Sequence, residues 1–278
     1  RQDMKLVSFN VNSLRQRLHQ LQSVIDKHAP EFIGLQETKV QDHEFPLEAI
    51  NEMGYQVIYC GQKTHYGVAL MSRRTCVNPC YGFPNDGDEA QKRFIGGEYQ
   101  FDGESIFVFN GYFPQGESRD HAVKFPAKQR FYRDSIEFFS HYDMQASRLV
   151  VMGDYNIAPQ DADIGIGEDN ARRWLKTGKT SFLPEEREWF EQLTALGLYD
   201  GFRLCHASED NCFSWFDYRS RGFEREPRRG LRIDHLLVSE LLKPRVVDAG
   251  VDYDIRGMEK PSDHAPTWVE LDLDFAAN

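Results

Sequence analysis

No apolar run in this sequence approaches the ~18 residues that a membrane-crossing helix requires. Its start, Arg1-Gln2-Asp3-Met4, is polar and lacks the apolar stretch of a secretion signal, so a soluble protein that stays in the cytoplasm is expected. Cysteine is scarce and odd in number. Cys60, Cys76, Cys80, Cys205 and Cys212 show no paired CxxC spacing, which argues against structural zinc or disulfides and for reduced, mostly buried thiols. Only 12 prolines occur and no Ser/Gly/Pro-rich linker divides the chain, which speaks against disorder and collagen-like or low-complexity repeats. Positive charge is in deficit: 33 Lys and Arg face 44 Asp and Glu, a net charge of −11. Broad adhesion to nucleic acid is disfavoured by that balance, whereas a local basic surface is not.

What is present is ample core material, 40% hydrophobic residues and 13% aromatics. Because α/β folds reach about 250 residues as one unit, a single domain over 4–273 is expected, with 1–3 and 274–278 as terminal extensions and the latter frayed. Short apolar runs read as strands: Lys5–Asn10, Phe32–Glu37, Val68–Met71, Ile106–Asn110, Leu149–Asp154, Ile233–Val238 and the alternating Trp268–Leu273. Between them, Leu18, Leu21, Val24 and Ile25 share one helical face. Pro184-Glu185-Glu186 opens a helix ahead of Trp189, Phe190, Leu193 and Leu196, and a third is expected from about Ala127 to His141. Alternating strands and helices indicate an α/β protein. Apolar runs ending in a carboxylate recur and hint at an internal duplication, but no defensible period is visible.

Polar residues gather where apolar runs give way to loops, as a site assembled from several strand ends requires. Four segments stand out: Ser8-Phe9-Asn10-Val11-Asn12, Leu35-Gln36-Glu37-Thr38-Lys39, Gly153-Asp154-Tyr155-Asn156-Ile157 and Ser262-Asp263-His264-Ala265-Pro266. Any one Asp or Asn is more often a cap or turn residue than a catalyst. Together, Glu37, Asp154, Asp234 and Asp263 offer hard oxygens, Asn10 and Asn156 offer amides, and His264 titrates nearest neutrality, a set suited to Mg²⁺. Gly165-Ile166-Gly167 lacks the strand-then-helix setting of a phosphate-cradling loop and reads as a turn. His65, His121 and His235 read as structural or surface residues.

Longer stretches carry a resemblance over Met4 to about Leu273. They are Gly111–His121 (GYFPQGESRDH), Trp174–Lys179 (WLKTGK), Phe182–Trp189 (FLPEEREW), Phe213–Ser220 (FSWFDYRS) and Met258–Pro266 (MEKPSDHAP). With these, the chain resembles the exonuclease III and abasic-site endonuclease family, within the DNase I-like endonuclease/exonuclease/phosphatase superfamily. The resemblance implies a four-layer α/β sandwich, two packed mixed sheets flanked by helices, with a metal-dependent phosphodiesterase site at one edge. It implies Glu37 as main metal ligand assisted by Asn10, with Asp263 joining the shell or orienting His264. Asp154 and Asn156 would position the attacking water, Asp234 would hold His264, and Tyr112 would donate to a phosphate oxygen. Asp154 is favoured over His264 as the base, although a carboxylate near ~4 is a weak one. Mg²⁺ is the implied cofactor, with Mn²⁺ as a substitute.

Local charge supports DNA. From Arg219 to Arg232, six arginines face two glutamates, a local charge of +4, and Arg172, Arg173, Lys176 and Lys179 form a second cluster. In the family, this region forms a small apolar pocket for a base-less sugar. Trp215 and Leu231 are expected as its wall and Phe213 as support, with Gln115, Lys124 and Arg219 contacting DNA. The expected function is repair: cleavage 5′ to abasic sites in duplex DNA, with 3′-to-5′ exonuclease and 3′-end cleaning. A monomer with no membrane partner, working on the bacterial nucleoid, completes the reading. Two alternatives are a phosphatase acting on lipid or inositol head groups, disfavoured by the basic strips, and a catalytically silent nucleic-acid-binding regulator, disfavoured because no carboxylate or histidine is missing.

Overall fold

Each apolar run read as a strand is one. The computed structural model describes residues 2–273, and the expectation for 274–278 lies outside them. In chain order the strands are β1 (Gln2–Asn10), β2 (Phe32–Gln36), β3 (Gln56–Cys60), β4 (Val68–Ser72), β5 (Val77–Tyr81), β6 (Phe94–Phe101), β7 (Glu104–Tyr112), β8 (Arg148–Asp154), β9 (Leu198–Asp200), β10 (Asp234–Ser239), β11 (Val246–Val251) and β12 (Thr267–Leu273). The helices are α1 (Leu18–His28), α2 (Leu47–Glu52), α3 (Lys124–Ser140), α4 (Glu168–Thr177), α5 (Pro184–Thr194), α6 (Gly201–Cys205) and α7 (Tyr253–Arg256). Two six-stranded sheets result, ordered β11-β12-β1-β2-β4-β3 and β5-β6-β7-β8-β10-β9.

The central strands β1, β2, β4, β7, β8 and β10 read as continuous apolar runs because both faces are covered, whereas β12 alternates. Between the sheets, Leu6, Phe32 and Leu70 meet Val108, Val150, Met152 and Leu236. The outer face of the first sheet packs Val7, Phe9 and Ile33 under Leu21 and Val24 of α1, while Phe109, Val151 and Leu237 of the second lie under Tyr132 of α3 and Phe190 of α5. This is the expected helix–sheet–sheet–helix sandwich. Its sheets repeat one topology, each built on a central parallel pair, β1–β2 and β7–β8, with antiparallel strands on either side. The duplication hinted at by the sequence is therefore present in the topology, and it points the ends of all four central strands to one edge.

Four expectations are corrected. Gln2 and Asp3 belong to β1, paired with Leu273 and Asp272, so they are no extension. Helix α3 starts at Lys124, earlier than Ala127, because the His121 Nδ1 accepts the Val123 and Lys124 N–H groups and Pro126 falls in the first turn, where its missing N–H costs nothing. Gly165-Ile166-Gly167, read as a turn, is a bend that does lead into a helix, with Gly167 as the cap of α4. The five cysteines are free but only half-buried.

One polar contact ties the sheets together just below the edge. The buried Asn110 on β7 donates through Nδ2 to the carbonyls of Leu35 (2.9 Å) and Ala69 (2.8 Å) in the facing sheet, and its Oδ1 accepts from Gln36 Nε2 (2.7 Å). The sheets approach closely here: a Cβ on Gly34 would lie 2.6 Å from Met152 Sδ. Replacing Asn110 by Leu strands these groups in a dry seam, so Asn110→Leu is expected to cost about 2–4 kcal/mol in urea unfolding. A cost below about 0.5 kcal/mol, the range of an ordinary surface change, would contradict the clamp.

Candidate active site

The shared edge collects the polar strand ends. Asn10, Tyr112 and Asp154 are the last residues of β1, β7 and β8, Glu37 follows β2, and Asp234 opens β10 directly opposite Asp154 in the antiparallel register. Tyr112 likewise pairs with Asp154 in the parallel register, the position that Asn10 and Gln36 share in the other sheet. Glu37 and Asn156 take left-handed backbone conformations, φ 54° and 52°, which turn the chain sharply as it leaves each strand. Such conformations persist in non-glycine residues only where surrounding bonds fix them. Asp263 and His264 arrive on the loop before β12, where His264 bridges to Trp215 and the Ser262 hydroxyl donates to the Asn10 carbonyl (2.6 Å).

Asn10 joins the two halves of the site. Its Nδ2 donates to Glu37 Oε1 (3.1 Å) and to Asp154 Oδ2 (2.9 Å), and its Oδ1 accepts the Asn12 N–H (3.0 Å). Asn10, expected to assist a metal, turns its oxygen to the backbone and its nitrogen between the two carboxylates. Beyond Asp154, His264 Nε2 stands 3.5 Å from Asp154 Oδ2, and its Nδ1–H donates to Asp234 Oδ2 (2.8 Å). The Ser214 hydroxyl accepts the Ile233 and Asp234 N–H groups (both 3.0 Å), fixing the start of β10.

The electrostatics follow from burial. Desolvation pushes the Asp154 carboxyl up to about 7, helped by the Asp234 charge and opposed by His264 and Asn10. Burial pulls the His264 imidazole down, but the Asp234 and Asp154 carboxylates outweigh it and hold the ring protonated, up to about 10. Near neutrality the site therefore pairs an imidazolium with a carboxylate poised to take a proton, the separation that general acid–base chemistry uses. Burial and the nearby Glu37 charge keep the Tyr112 hydroxyl protonated, a donor rather than a phenolate. Arg93, which no sequence pattern marked, lies between the Tyr66 and Tyr112 rings, 4.6 and 4.7 Å from their centroids, and donates to the Tyr112 carbonyl (3.0 Å).

Glu37, Tyr112, Asp154, Asn156, Asp263 and His264 line a cleft of about 560 Å³ whose rim carries Arg173, Lys179, Arg219, Arg225 and Arg229. Gln115 and Trp215 line it too. Asp263 accepts from Asn12 Nδ2 (3.3 Å) and Trp215 Nε1 (3.2 Å); the orienting bond to His264 comes from Asp234. Leu231 is not in the wall. It is 1% exposed and packs behind it among Ala158, Phe182 and Ile233, while Ile166, Trp174, Trp215 and Ile233 form the apolar surface. Phe213 is buried core against Gly165. Lys124 stands outside the cleft lining, 3.5 Å from Glu117 in the first turn of α3. Within the basic strip, Arg232 is buried between Asp163 (2.7 Å) and Asp200 (2.5 Å), so its charge is structural. Lys39, quoted in its motif but given no role, lies 3.3 Å from Glu37 and donates to Asn12 Oδ1 (2.7 Å).

Comparison with known proteins places this geometry. The Endonuclease/Exonuclease/phosphatase family model matches residues 7–264. Exodeoxyribonuclease III of Haemophilus influenzae is 52% identical over 268 residues, covering 96% of this chain and all of the relative. Among solved structures, the 3′-5′ exonuclease NExo of Neisseria meningitidis superposes with a TM-score of 0.88 at 37% identity, over 97% of this chain and all of that one. An AP endonuclease of Archaeoglobus fulgidus gives 0.87 at 31% identity with the same coverage. The shared sandwich, the strand-end carboxylates and the near full-length identity together make this chain a member of the endonuclease/exonuclease/phosphatase family, in its exonuclease III branch.

Proposed function

We propose that the protein is a Mg²⁺-dependent DNA repair nuclease that hydrolyses phosphodiesters 5′ to abasic sites in duplex DNA and trims or cleans 3′ ends. The observation that carries this reading is the Asn10-linked pair of Glu37 and Asp154, set beside the His264–Asp234 pair at the floor of a basic-rimmed cleft. The relatives' names, an exodeoxyribonuclease III, a 3′-5′ exonuclease and an AP endonuclease, describe reactions that one phosphate site can serve. The catalytic unit spans the described residues 2–273 and acts as a monomer in the cytoplasm, on the nucleoid.

The donor chemistry fits a hard cation: carboxylate oxygens face the cleft and no thiol lines it. Glu37 would hold the ion, with Asp263 beside it. Bound Mg²⁺, or Mn²⁺ in its place, supplies positive charge to the phosphate and leaving oxygens. Asp154, Asp234 and His264 also bring one ligand atom each within 4.8 Å of one another, but a protonated His264 donating to Asp234 makes that trio a proton-holding chain. Asp154 takes the water proton, for which a carboxyl near 7 is well matched. The Asn156 N–H fixes Asp154 Oδ1 (3.0 Å), and His264 and Tyr112 present N–H and O–H groups to the phosphate charge.

Selection of damage falls to the apolar wall. An abasic nucleotide has lost its stacking, so extruding it from the duplex costs less than extruding an intact one, and Ile166, Trp174, Trp215 and Ile233 offer it a base-free surface. The rim cations supply phosphate contacts despite the acidic total, with binding that weakens as salt rises.

Duplexes carrying an abasic analogue, a 3′-phosphate or an intact 3′ end are expected to be cleaved with Mg²⁺ and left intact in EDTA. Glu37→Gln is expected to lower turnover on the order of a hundredfold or more while the melting temperature moves by only a few degrees. Cleavage that persists in EDTA, or near wild-type turnover by the variant, removes the metal from the mechanism. Trp215→Ala is expected to weaken binding of abasic-site duplex, measured by anisotropy in EDTA, about tenfold more than binding of intact duplex. Equal losses on both would make Trp215 ordinary packing.

A further inference from the structure

Beneath the cleft floor lies an ion pair that the chemistry above does not use. Lys128 of α3 and Glu186 of α5 are each 0% exposed and hydrogen-bonded to each other. An ammonium has three donors. Those of Lys128 meet the Glu186 carboxylate, the Asn156 carbonyl (2.7 Å) and the Gln115 carbonyl (3.3 Å). The other oxygen of Glu186 accepts the N–H groups of Ser181 (2.9 Å) and Leu183 (3.0 Å).

The partners are the notable part, because Gln115, Asn156 and Ser181 all line the cleft and come from three separate loops. Stability alone gives no reason for the pair, since replacing a buried ion pair with uncharged residues of similar volume is often neutral or stabilising. Asn156, by contrast, needs fixing. It holds a left-handed φ of 52° through three bonds: its N–H to Asp154 Oδ1, its Nδ2 to the Phe113 carbonyl (2.7 Å), and its own carbonyl to Lys128. Release of the third bond frees Asn156 to leave its left-handed conformation, and the N–H that orients Asp154 shifts with it.

We infer that the Lys128–Glu186 pair is a positioning device for the hydrolytic step, holding the Asn156 peptide, and through it Asp154, against the other cleft loops. This rests on the nuclease reading. Neither residue touches substrate; both act through the backbone they grip.

Two double variants test it. Lys128→Met with Glu186→Gln removes both charges, keeps an acceptor for Ser181 and Leu183, and leaves the Asn156 carbonyl without its donor. Lys128→Gln with Glu186→Gln is also uncharged but restores a side-chain N–H. Single-turnover cleavage is normalised to the folded fraction from near-ultraviolet circular dichroism, and DNA Kd is measured in EDTA. For the Met variant, the cleavage rate is expected to fall at least tenfold on every cleavable duplex while Kd stays within about twofold. The Gln variant is expected to recover at least threefold of that loss. A Met variant at the wild-type rate, a Gln variant no faster than the Met variant, or a rate loss matched by an equal loss of DNA affinity would each overturn the positioning role. Wild-type protein that cleaves no duplex would instead sink the nuclease reading itself.

Discussion

Two carboxylates from different sheets share one amide nitrogen. Glu37 follows β2 in the first sheet, Asp154 ends β8 in the second, and Asn10 Nδ2 reaches both. Bringing like charges together at a buried edge is unfavourable unless donors and a countercharge compensate. The Asn10 amide, the Asn156 N–H and the His264 imidazolium supply that compensation for Asp154, and the residual penalty shows as the rise of its carboxyl to about 7. Burial is the main cause of that rise, with the neighbouring Asp234 and Glu37 charges adding to it, and a carboxyl so raised suits the role of base that the proposed hydrolysis gives it.

That edge exists because the two sheets repeat one arrangement. A central parallel pair sends two strand ends the same way in each sheet, and face-to-face packing sets the four ends together. The Asn110 clamp and the close approach at Gly34 hold the seam immediately behind the site, so the distance between Glu37 and Asp154 is set by packing rather than by mobile loops. Left-handed backbone at Glu37 and Asn156 turns the chain at once into the cleft. Structural charge is kept separate: Arg232 with Asp163 and Asp200, and Lys128 with Glu186, lie in the interior, while Arg173, Lys179, Arg219, Arg225 and Arg229 face the cleft.

Seven of the twelve strands were legible in the sequence, most because both faces are covered, which writes them as unbroken apolar runs, and the strand-end polar residues were legible with them; the edge strands β3, β5, β9 and β11, and the glycine-containing β6, were not read. Leu231 and Ile233 differ by two positions and share apolar character, yet only Ile233 reaches the cleft, a distinction set by tertiary packing that one-dimensional pattern cannot carry. Arg232 looked like part of a DNA-binding strip because its acidic partners, Asp163 and Asp200, are far away in sequence. Arg93 and Lys128 gave no signal for the same reason: each acts through backbone carbonyls, and a carbonyl has no sequence identity. The start of α3 was misplaced because His121 is an unusual cap. Duplicated topology left no period, since buried strands demand apolar character rather than particular residues.

The most direct test of the cross-sheet site is a crystal of the protein soaked in Mn²⁺, with the ion located by its anomalous scattering. Expected is a manganese peak on the Glu37 carboxylate, with His264 Nδ1 still donating to Asp234. An ion enclosed by Asp154, Asp234 and His264, with Glu37 bare, would contradict the division of that edge into a metal side and a proton side.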